Sequence, residues 1–248
     1  MKTNRIPIAM FHHVSNRKDW DSLRPFVVLQ ETLTLFLDTI EHHGRRPVTF
    51  QDLCSPSFIP SKRDVIITFD DCGKHLLDFA VPELIKRNIR ATFYIPTAHI
   101  GGVNQWNMDK GQSKVELMTE GDLIALDHAG MEIGGHSNEH IHLGRLTSKE
   151  AQNQVSECQA ILTRLTGKKT VSFAYPFGSI VKNPQDSLEA AGFKFACSIF
   201  SKENTNFQLR RFIIHDGDDA RSMRLKLSMA YRVYRSISDP RKNESAWG

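Results

Sequence analysis

The stretch Val65-Ile66-Ile67-Thr68-Phe69-Asp70-Asp71 decides how this chain is read. Its first five residues are short, apolar and mostly β-branched, the composition of a buried strand. Two adjacent carboxylates at its end repel each other unless a cation or a basic partner relieves them. Alone, such a pair is most often a solvated turn. A second stretch changes that reading: the apolar run Met131-Glu132-Ile133-Gly134-Gly135 leads directly into His136-Ser137-Asn138-Glu139-His140. One carboxylate and two imidazoles make a workable metal set, and the remaining carboxylate is then a candidate base.

Working outward, strands and helices alternate. Ile6–Phe11, Pro47–Phe50, Ala91–Ile95, Val171–Tyr175, Phe193–Ile199 and Arg211–Ile214 read as further strands. Leu33, Phe36, Leu37 and Ile40 mark one helix face, and Leu77, Val81, Leu84 and Ile85 another, with Pro82 placing a kink or a new start. Thr119 and the capping box Thr147-Ser148-Lys149-Glu150 open two more helices, ended by Gly130 and Gly167. Asn183-Pro184 starts another, and a last helix is expected from about Asp219 to about Ser236. This alternation predicts a parallel sheet with outer helices. The unusual polar residues follow strands: His12 and His13, Asp70 and Asp71, His136 and His140, and His215. In a barrel, strand ends converge on one mouth, so residues distant in sequence are predicted to meet. The aperiodic segment Asn104–Met118, with Trp106, Asn107 and Met108, either lines a substrate groove or is a surface loop anchored by one Trp.

At 248 residues the chain suits one large core, and a single domain over 1–248 is expected. Net charge is +4, too mild to imply nucleic acid. The four cysteines have no Cys-x-x-Cys spacing and suggest a reducing compartment rather than a disulfide framework. The start shows no signal-peptide pattern and no apolar stretch is long enough to span a bilayer, so a cytoplasmic location is expected.

The ordered set Ile67-Thr68-Phe69-Asp70-Asp71, Ala91-Thr92-Phe93-Tyr94-Ile95, Glu132 to His140, and Phe173-Ala174-Tyr175-Pro176-Phe177-Gly178 resembles the polysaccharide deacetylase (NodB-homology) family, carbohydrate esterase family 4. The start Ile6-Pro7-Ile8-Ala9-Met10-Phe11-His12 is similar to the branch that includes biofilm-polysaccharide deacetylases. The resemblance implies a distorted, incomplete (β/α) barrel. It implies a divalent metal on Asp71, His136 and His140, with Asp70 as base and the backbone N–H of Phe177 facing the oxyanion. For the proton donor to the leaving amine, His12 matches this branch and His215 is the positional alternative from others. His13 is expected to point away from His12 if the strand continues. Tyr175, Pro176, Trp106 and His215 are candidate substrate contacts. Zn²⁺ suits such ligands, and Co²⁺ and Ni²⁺ fit as well.

The chain departs from the family pattern at three places. Cys72 stands where Asp-Asp-Gly is common, and Cys tolerates positive φ poorly, so an altered turn is expected. It is a structural thiol or a further ligand. Ala174 stands where many relatives carry an arginine that orients the base, and Arg211 is the candidate to supply that charge. Phe177 replaces a frequent tyrosine. His142 is an alternative ligand or a surface residue. His42-His43 fit a helix C-terminus without further role.

The expected function is hydrolysis of an N-acetylated amino sugar in a glycan or glycan precursor, giving acetate and a free amine. A glycan-binding module without turnover, or hydrolysis of a non-sugar amide, are the other readings. The last helix carries Arg221, Arg224, Lys226, Arg232 and Arg235, with Met223, Leu227, Ala230 and Tyr234 on another face. It is expected to pack on the barrel with its charges solvated. Peripheral contact with an anionic membrane is the alternative and would favour a lipid-linked sugar. Oligomeric state is not legible.

Overall fold

The computed structural model describes residues 5–238 except 25, 202 and 204. Its first strand, β1 (Ile8–Phe11), is followed by the short β2 (His13–Val14) and β3 (Val27–Val28), which pair only with each other. Helix α1 (Gln30–His42) leads to β4 (Arg46–Pro47), α2 (Phe50–Leu53) and β5 (Asp64–Phe69). Then come α3 (Ala80–Lys86), β6 (Thr92–Ile95), α4 (Gln105–Met108), α5 (Glu120–His128) and β7 (Glu132–Gly135). Helix α6 (Ser148–Thr166) is the longest, followed by β8 (Ser172–Ala174), α7 (Pro184–Ala191) and β9 (Phe195–Ser198). The chain continues through β10 (Leu209–Arg210), β11 (Phe212–Ile213), α8 (Ala220–Lys226) and α9 (Met229–Ser238). None of the described helices is long and apolar enough to cross a membrane.

All sheet pairings are parallel, in the order β10-β9-β8-β7-β6-β5-β1-β11, with β4 added beside β5. The two ends of this order, β10 and β11, are separated in sequence by Arg211 alone. Leu209 and Arg210 pair with Cys197 and Ser198 of β9, whereas Phe212 and Ile213 pair with Ala9 and Met10 of β1. One bent segment thus serves both edges and nearly closes the sheet into the incomplete barrel expected.

Alternation along the strands sorts side chains between two sides. Val65, Ile67 and Phe69 face outward into the main core with Leu33, Phe36, Leu37 and Ile40 of α1. Ile66 packs instead with Ile8, Tyr94, Ala174, Cys197 and Leu209 inside the barrel. Continuing this count puts Thr68 and then Asp70 on the interior side. Buried Glu132 starts β7 inside, where its carboxylate accepts from Ser172 Oγ (2.5 Å), the backbone N–H of Gln51 (2.9 Å) and Thr92 Oγ1 (3.3 Å). The same count from Glu132 through Gly134 brings His136 to the interior.

Local signals account for most boundaries. Thr119 and Thr147 each form full capping boxes, with Asp122 and Glu150, and Gly167 ends α6 in the left-handed region. The expected strand Pro47–Phe50 stops at Pro47, because Thr49 and Asp52 form another capping box and turn Phe50 into a helix. Ile85, read as part of a core face, is 52% exposed. Its helix starts afresh at Ala80 after a 3-10 turn over Lys74–Leu77, rotating that face outward. The expected C-terminal helix is two helices that break at Leu227 and Ser228. Met223 and Leu227 are buried as expected, but Tyr234 is 58% exposed and Arg235 is buried, the reverse of the expected orientation.

Gly134 lies where β7 meets its neighbours most closely. A Cβ there would sit 2.6 Å from the ring of Tyr94 and 2.9 Å from Ser172 Oγ. Gly134→Ala is expected to destabilise the fold by about 2 kcal/mol through overpacking, read as a lower urea midpoint at unchanged slope.

Candidate active site

Asp70 and Asp71 leave β5 in different directions. Asp70 keeps the strand register, its N–H donating to Phe11 O at 2.9 Å. Asp71 and Cys72 then turn through the left-handed region, with φ of 68° and 52°. Cys72 therefore keeps the turn that glycine would favour. Its thiol is buried and donates to Tyr94 O at 3.2 Å, and burial pushes its pKa well up, which fits a structural thiol. Gly73 follows with ordinary φ, and a Cβ there would collide with His75 at 2.3 Å.

Arg211, just before β11, reaches Asp70 at the end of β5 across the intervening β1. Its Nη1 donates to Oδ1 at 2.6 Å and its Nη2 to Oδ2 at 2.7 Å, a fork-on-fork pair in which both residues are buried. Nη1 also reaches Thr68 Oγ1 at 3.2 Å, and the guanidinium lies 5.5 Å from the centre of the Tyr94 ring. Burial disfavours the Asp70 carboxylate and is the largest single influence, but Arg211, by charge and hydrogen bond, together with His136 and His12 outweighs it, and the net shift is downward. Arg211 is itself held by its backbone, whose N–H donates to Ser198 O and whose carbonyl accepts from Arg235 Nη1.

Asp71 meets His136 and His140. Their ligand atoms lie within 4.8 Å of one another, all three residues buried. Oδ1 of Asp71 is 3.1 Å from His140 Nε2 and 3.5 Å from His136 Nε2, yet it has no hydrogen-bond partner among the described residues. The tautomer of His136 shows why. Its Nδ1 lies 2.7 Å from Ala174 O, and a carbonyl can only accept, so Nδ1 carries the proton. In that tautomer Nε2 is a bare acceptor facing a carboxylate oxygen. Acceptors converging on one point in a buried space fit a cation held between them. Burial opposes ionisation of Asp71, but His140 and His136 hold its carboxyl well below the usual range. Burial lowers His140 to about 4 despite Asp71, so its imidazole is neutral and ligand-ready near neutral pH.

The loop carrying the two histidines is clamped rather than helical. Ser137 and His140 have φ of 59° and 52°. Ser137 Oγ accepts from the His140 N–H at 3.0 Å. Asn138 donates to Glu157, and the Glu139 N–H donates to Gln154, tying the loop to α6. The Thr97 and Ala98 N–H groups donate to Ser137 O and Asn138 O from the other side. The ring of His140 stacks on Trp106, with centroids 4.0 Å apart, and meets Phe177 edge-on at 4.8 Å.

These residues line one cavity of about 320 Å³, within the usual range for small-molecule sites. His12, Asp70, Asp71, His136, His140 and Arg211 line it, together with the aromatic side chains of Trp106, Tyr175 and Phe177. His12 Nε2 is 3.9 Å from Asp70 Oδ2. Burial lowers the His12 pKa, only partly offset by Asp70 and Asp71. The strand breaks at His12, so His13 also reaches the cavity edge rather than turning away. Its ring packs against Trp20 and His75. Phe177 sits at φ 56° inside a tight turn.

Other candidates fall elsewhere. His215 is exposed, its N–H bonded to Asp218, and it is not among the cavity-lining residues. Pro176 is buried and does not line the cavity. Tyr175 lines it, but its hydroxyl donates to Phe207 O at 2.9 Å and is already used. His142 stacks on Phe177 at 4.1 Å, outside the ligand cluster. Asn107 lines the cavity and Met108 does not. Phe26, Lys110 and Gln112 also line it and were not singled out in the sequence. Lys110 Nζ lies 5.0 Å over the Phe177 ring, a cation–π contact. Its loop carried no periodic signal to flag it.

The sequence profile described as polysaccharide deacetylase matches residues 59–196. The chain is 22% identical over 223 residues to YxkH of Bacillus subtilis, across 87% of this chain and 74% of that protein. It is 26% identical over 168 residues to the poly-beta-1,6-N-acetyl-D-glucosamine N-deacetylase of Staphylococcus aureus. That match covers 62% of this chain and 56% of the S. aureus protein. The fold is similar to a deacetylase from Streptococcus pyogenes solved with acetate, at TM-score 0.76 and 18% identity, covering 90% of this chain and 98% of that one. It is also similar to IcaB from Ammonifex degensii, at TM-score 0.70 and 19% identity, covering 90% and 97%.

Replacing Arg211 with Met leaves Asp70 buried beside no cation. A loss of about 3–5 kcal/mol is expected from removing one partner of a buried pair, measured by urea unfolding. Arg211→Lys is expected to recover only part of it, because an ammonium cannot grip both oxygens. A second expectation concerns acid. Burial lowers His13 to about 4 and His75 to about 2. Both values lie below the unfolded value of about 6.5, so the unfolded chain binds more protons in between. The stability tied to these neutral rings is full above about pH 6.5 and declines as pH falls toward 4. His75→Phe is expected to flatten the fall of melting temperature over that window, and an unchanged slope contradicts the assignment.

Proposed function

We propose that this chain, which belongs to the polysaccharide deacetylase family, removes the N-acetyl group from an amino sugar in a glycan or glycan precursor. A divalent cation held by Asp71, His136 and His140 assists it. The observation that carries the reading is the unpaired Asp71 Oδ1 facing two imidazole nitrogens in the cavity that also holds the Arg211-bound Asp70. The S. aureus relative, named for an N-acetylglucosamine polymer, supports the substrate class, although this chain matches 56% of its length.

Asp71, His136 and His140 would hold a divalent cation, for which Zn²⁺, Co²⁺ or Ni²⁺ suits the donor set, and it would supply acidification of a water and polarisation of the acyl carbonyl. Asp70 takes the proton of the attacking water. Arg211 keeps the carboxylate ionised and oriented while leaving lone pairs free on its oxygens. His12, neutral because burial dominates, stands 3.9 Å from Asp70 Oδ2. It accepts that proton and delivers it to the amine nitrogen as the carbon–nitrogen bond breaks, since an amide anion is a poor leaving group. The backbone N–H of Phe177 serves the developing oxyanion. Trp106 buttresses His140 and offers an aromatic wall to the sugar. The products are acetate and the free amine.

The test is acetate release from N-acetylglucosamine oligomers. Chelation is expected to abolish release, and added Zn²⁺, Co²⁺ or Ni²⁺ to restore it. Asp70→Asn is expected to lower kcat by about 10²–10⁴ with metal still bound, whereas Asp71→Asn loses the metal. Oligomer binding without release at any metal would show a binding module instead.

A further inference from the structure

Helix α9 is amphipathic with its faces exchanged. Met229, Val233, Tyr234 and Ile237 are 53%, 53%, 58% and 58% exposed. With Ala230 they fill an arc of roughly 140° at 100° per residue. The opposite arc carries the arginines. Arg235 is buried, donating to Arg211 O and to Ile199 O at 3.2 and 2.5 Å, and Arg232 is half-buried. The inner face is therefore fixed by polar bonds to two residues of the cavity lining, while the apolar side chains of the other face stay more than half exposed. Leu225, 54% exposed and one turn before Met229, extends this stripe back onto α8.

A soluble surface does not ordinarily present such a patch unless something covers it. The adjoining surface indicates what. A concavity beside α8 and the start of α9 is lined by Arg45, Lys62, Arg63, Arg221 and Arg224, with Leu225 and Ala230 on its rim and Asp219 as its acid. Lys62, Arg63, Arg221 and Arg224 are exposed. An apolar helical stripe flanked by a basic concavity is complementary to acyl chains under anionic headgroups. A second copy meeting this face about a twofold axis would set the same arginines against themselves.

We infer that the outward face of α9, with the basic concavity beside it, seats this protein peripherally on an anionic lipid surface. Seated there, α9 would bear on the lipid with one face and hold Arg211 and Ile199 of the cavity lining with the other, through Arg235. The inference is independent of which acyl group the site removes.

Co-sedimentation of the full chain with vesicles tests it, using phosphatidylcholine alone and phosphatidylcholine mixed with phosphatidylglycerol. Binding is expected to the mixed vesicles, weakening as salt rises. The triple variant Met229→Ser, Val233→Ser, Ile237→Ser is expected to bind at least ~10-fold more weakly. The double variant Arg221→Glu, Arg224→Glu, confined to exposed side chains, is expected to lose roughly fivefold or more per residue. Both should keep wild-type acetate release from soluble oligomers and wild-type circular dichroism. Failure of release in the wild type would count against the catalytic reading and leave the vesicle result standing. The lipid assignment is overturned if the full chain ignores mixed vesicles, or binds both lipids and both variants alike. It is equally overturned if light scattering shows a dimer that the triple variant dissociates, which would give the face to a second copy.

Discussion

The buried fork between Arg211 and Asp70 is the constraint on which the rest of the molecule turns. It joins the end of β5 to the one residue separating β10 from β11, so a single ion pair fixes the base and the barrel seam together. Two charges this far from water hold each other only because the geometry is bidentate and the partners are held in turn. Thr68, Tyr94, Ser198 and Arg235 all touch Arg211, through side chain or backbone. The interior thus tolerates an ionised carboxylate a single residue from a second one.

That proximity has a conformational cost. Among the described residues, six non-glycine positions have positive φ, and Asp71, Cys72, Ser137, His140 and Phe177 are five of them. Each is disfavoured for an L side chain, by roughly 1 kcal/mol or more. They persist because surrounding bonds over-determine them, as Gln154, Glu157, Thr97 and Ala98 do for the histidine loop. Strain concentrated around one cavity marks where the fold gives up local comfort to aim side chains inward.

Much of this was legible in the sequence because strand alternation is strict. Asp70 follows Ile66 and Thr68 inward, and His136 follows Glu132 and Gly134, so the convergence of distant segments could be read by counting. Arg211 could be matched as a candidate but not placed, since it sits between two short strands that pair with opposite ends of the sheet. The turn at Cys72 went against expectation because its propensity is weaker than the packing around it. Thr49 and Asp52 did carry a capping signal, overlooked beside the apolar Val48 and Phe50. The orientation of α9 was not legible. Periodicity shows that a helix has two faces, not which one meets the protein, and two bonds from Arg235 to backbone carbonyls decided it against hydrophobicity. Lys110 and Phe26 reach the cavity from loops, where nothing periodic announces a destination.

The bent segment around Arg211 also governs the order in which this molecule can be assembled. Ala9 and Phe212 are register partners at opposite ends of the described chain. The neighbouring strands can zip together as they are synthesised, each contact local to one strand–helix–strand unit, but the last contact spans nearly the whole polypeptide. Closing the largest loop therefore falls on that late step, and its loop-closure entropy with it. Until Phe212 and Ile213 have left the ribosome, β1 has an open edge that invites pairing with other chains, and it is shielded only when the final turn of chain arrives.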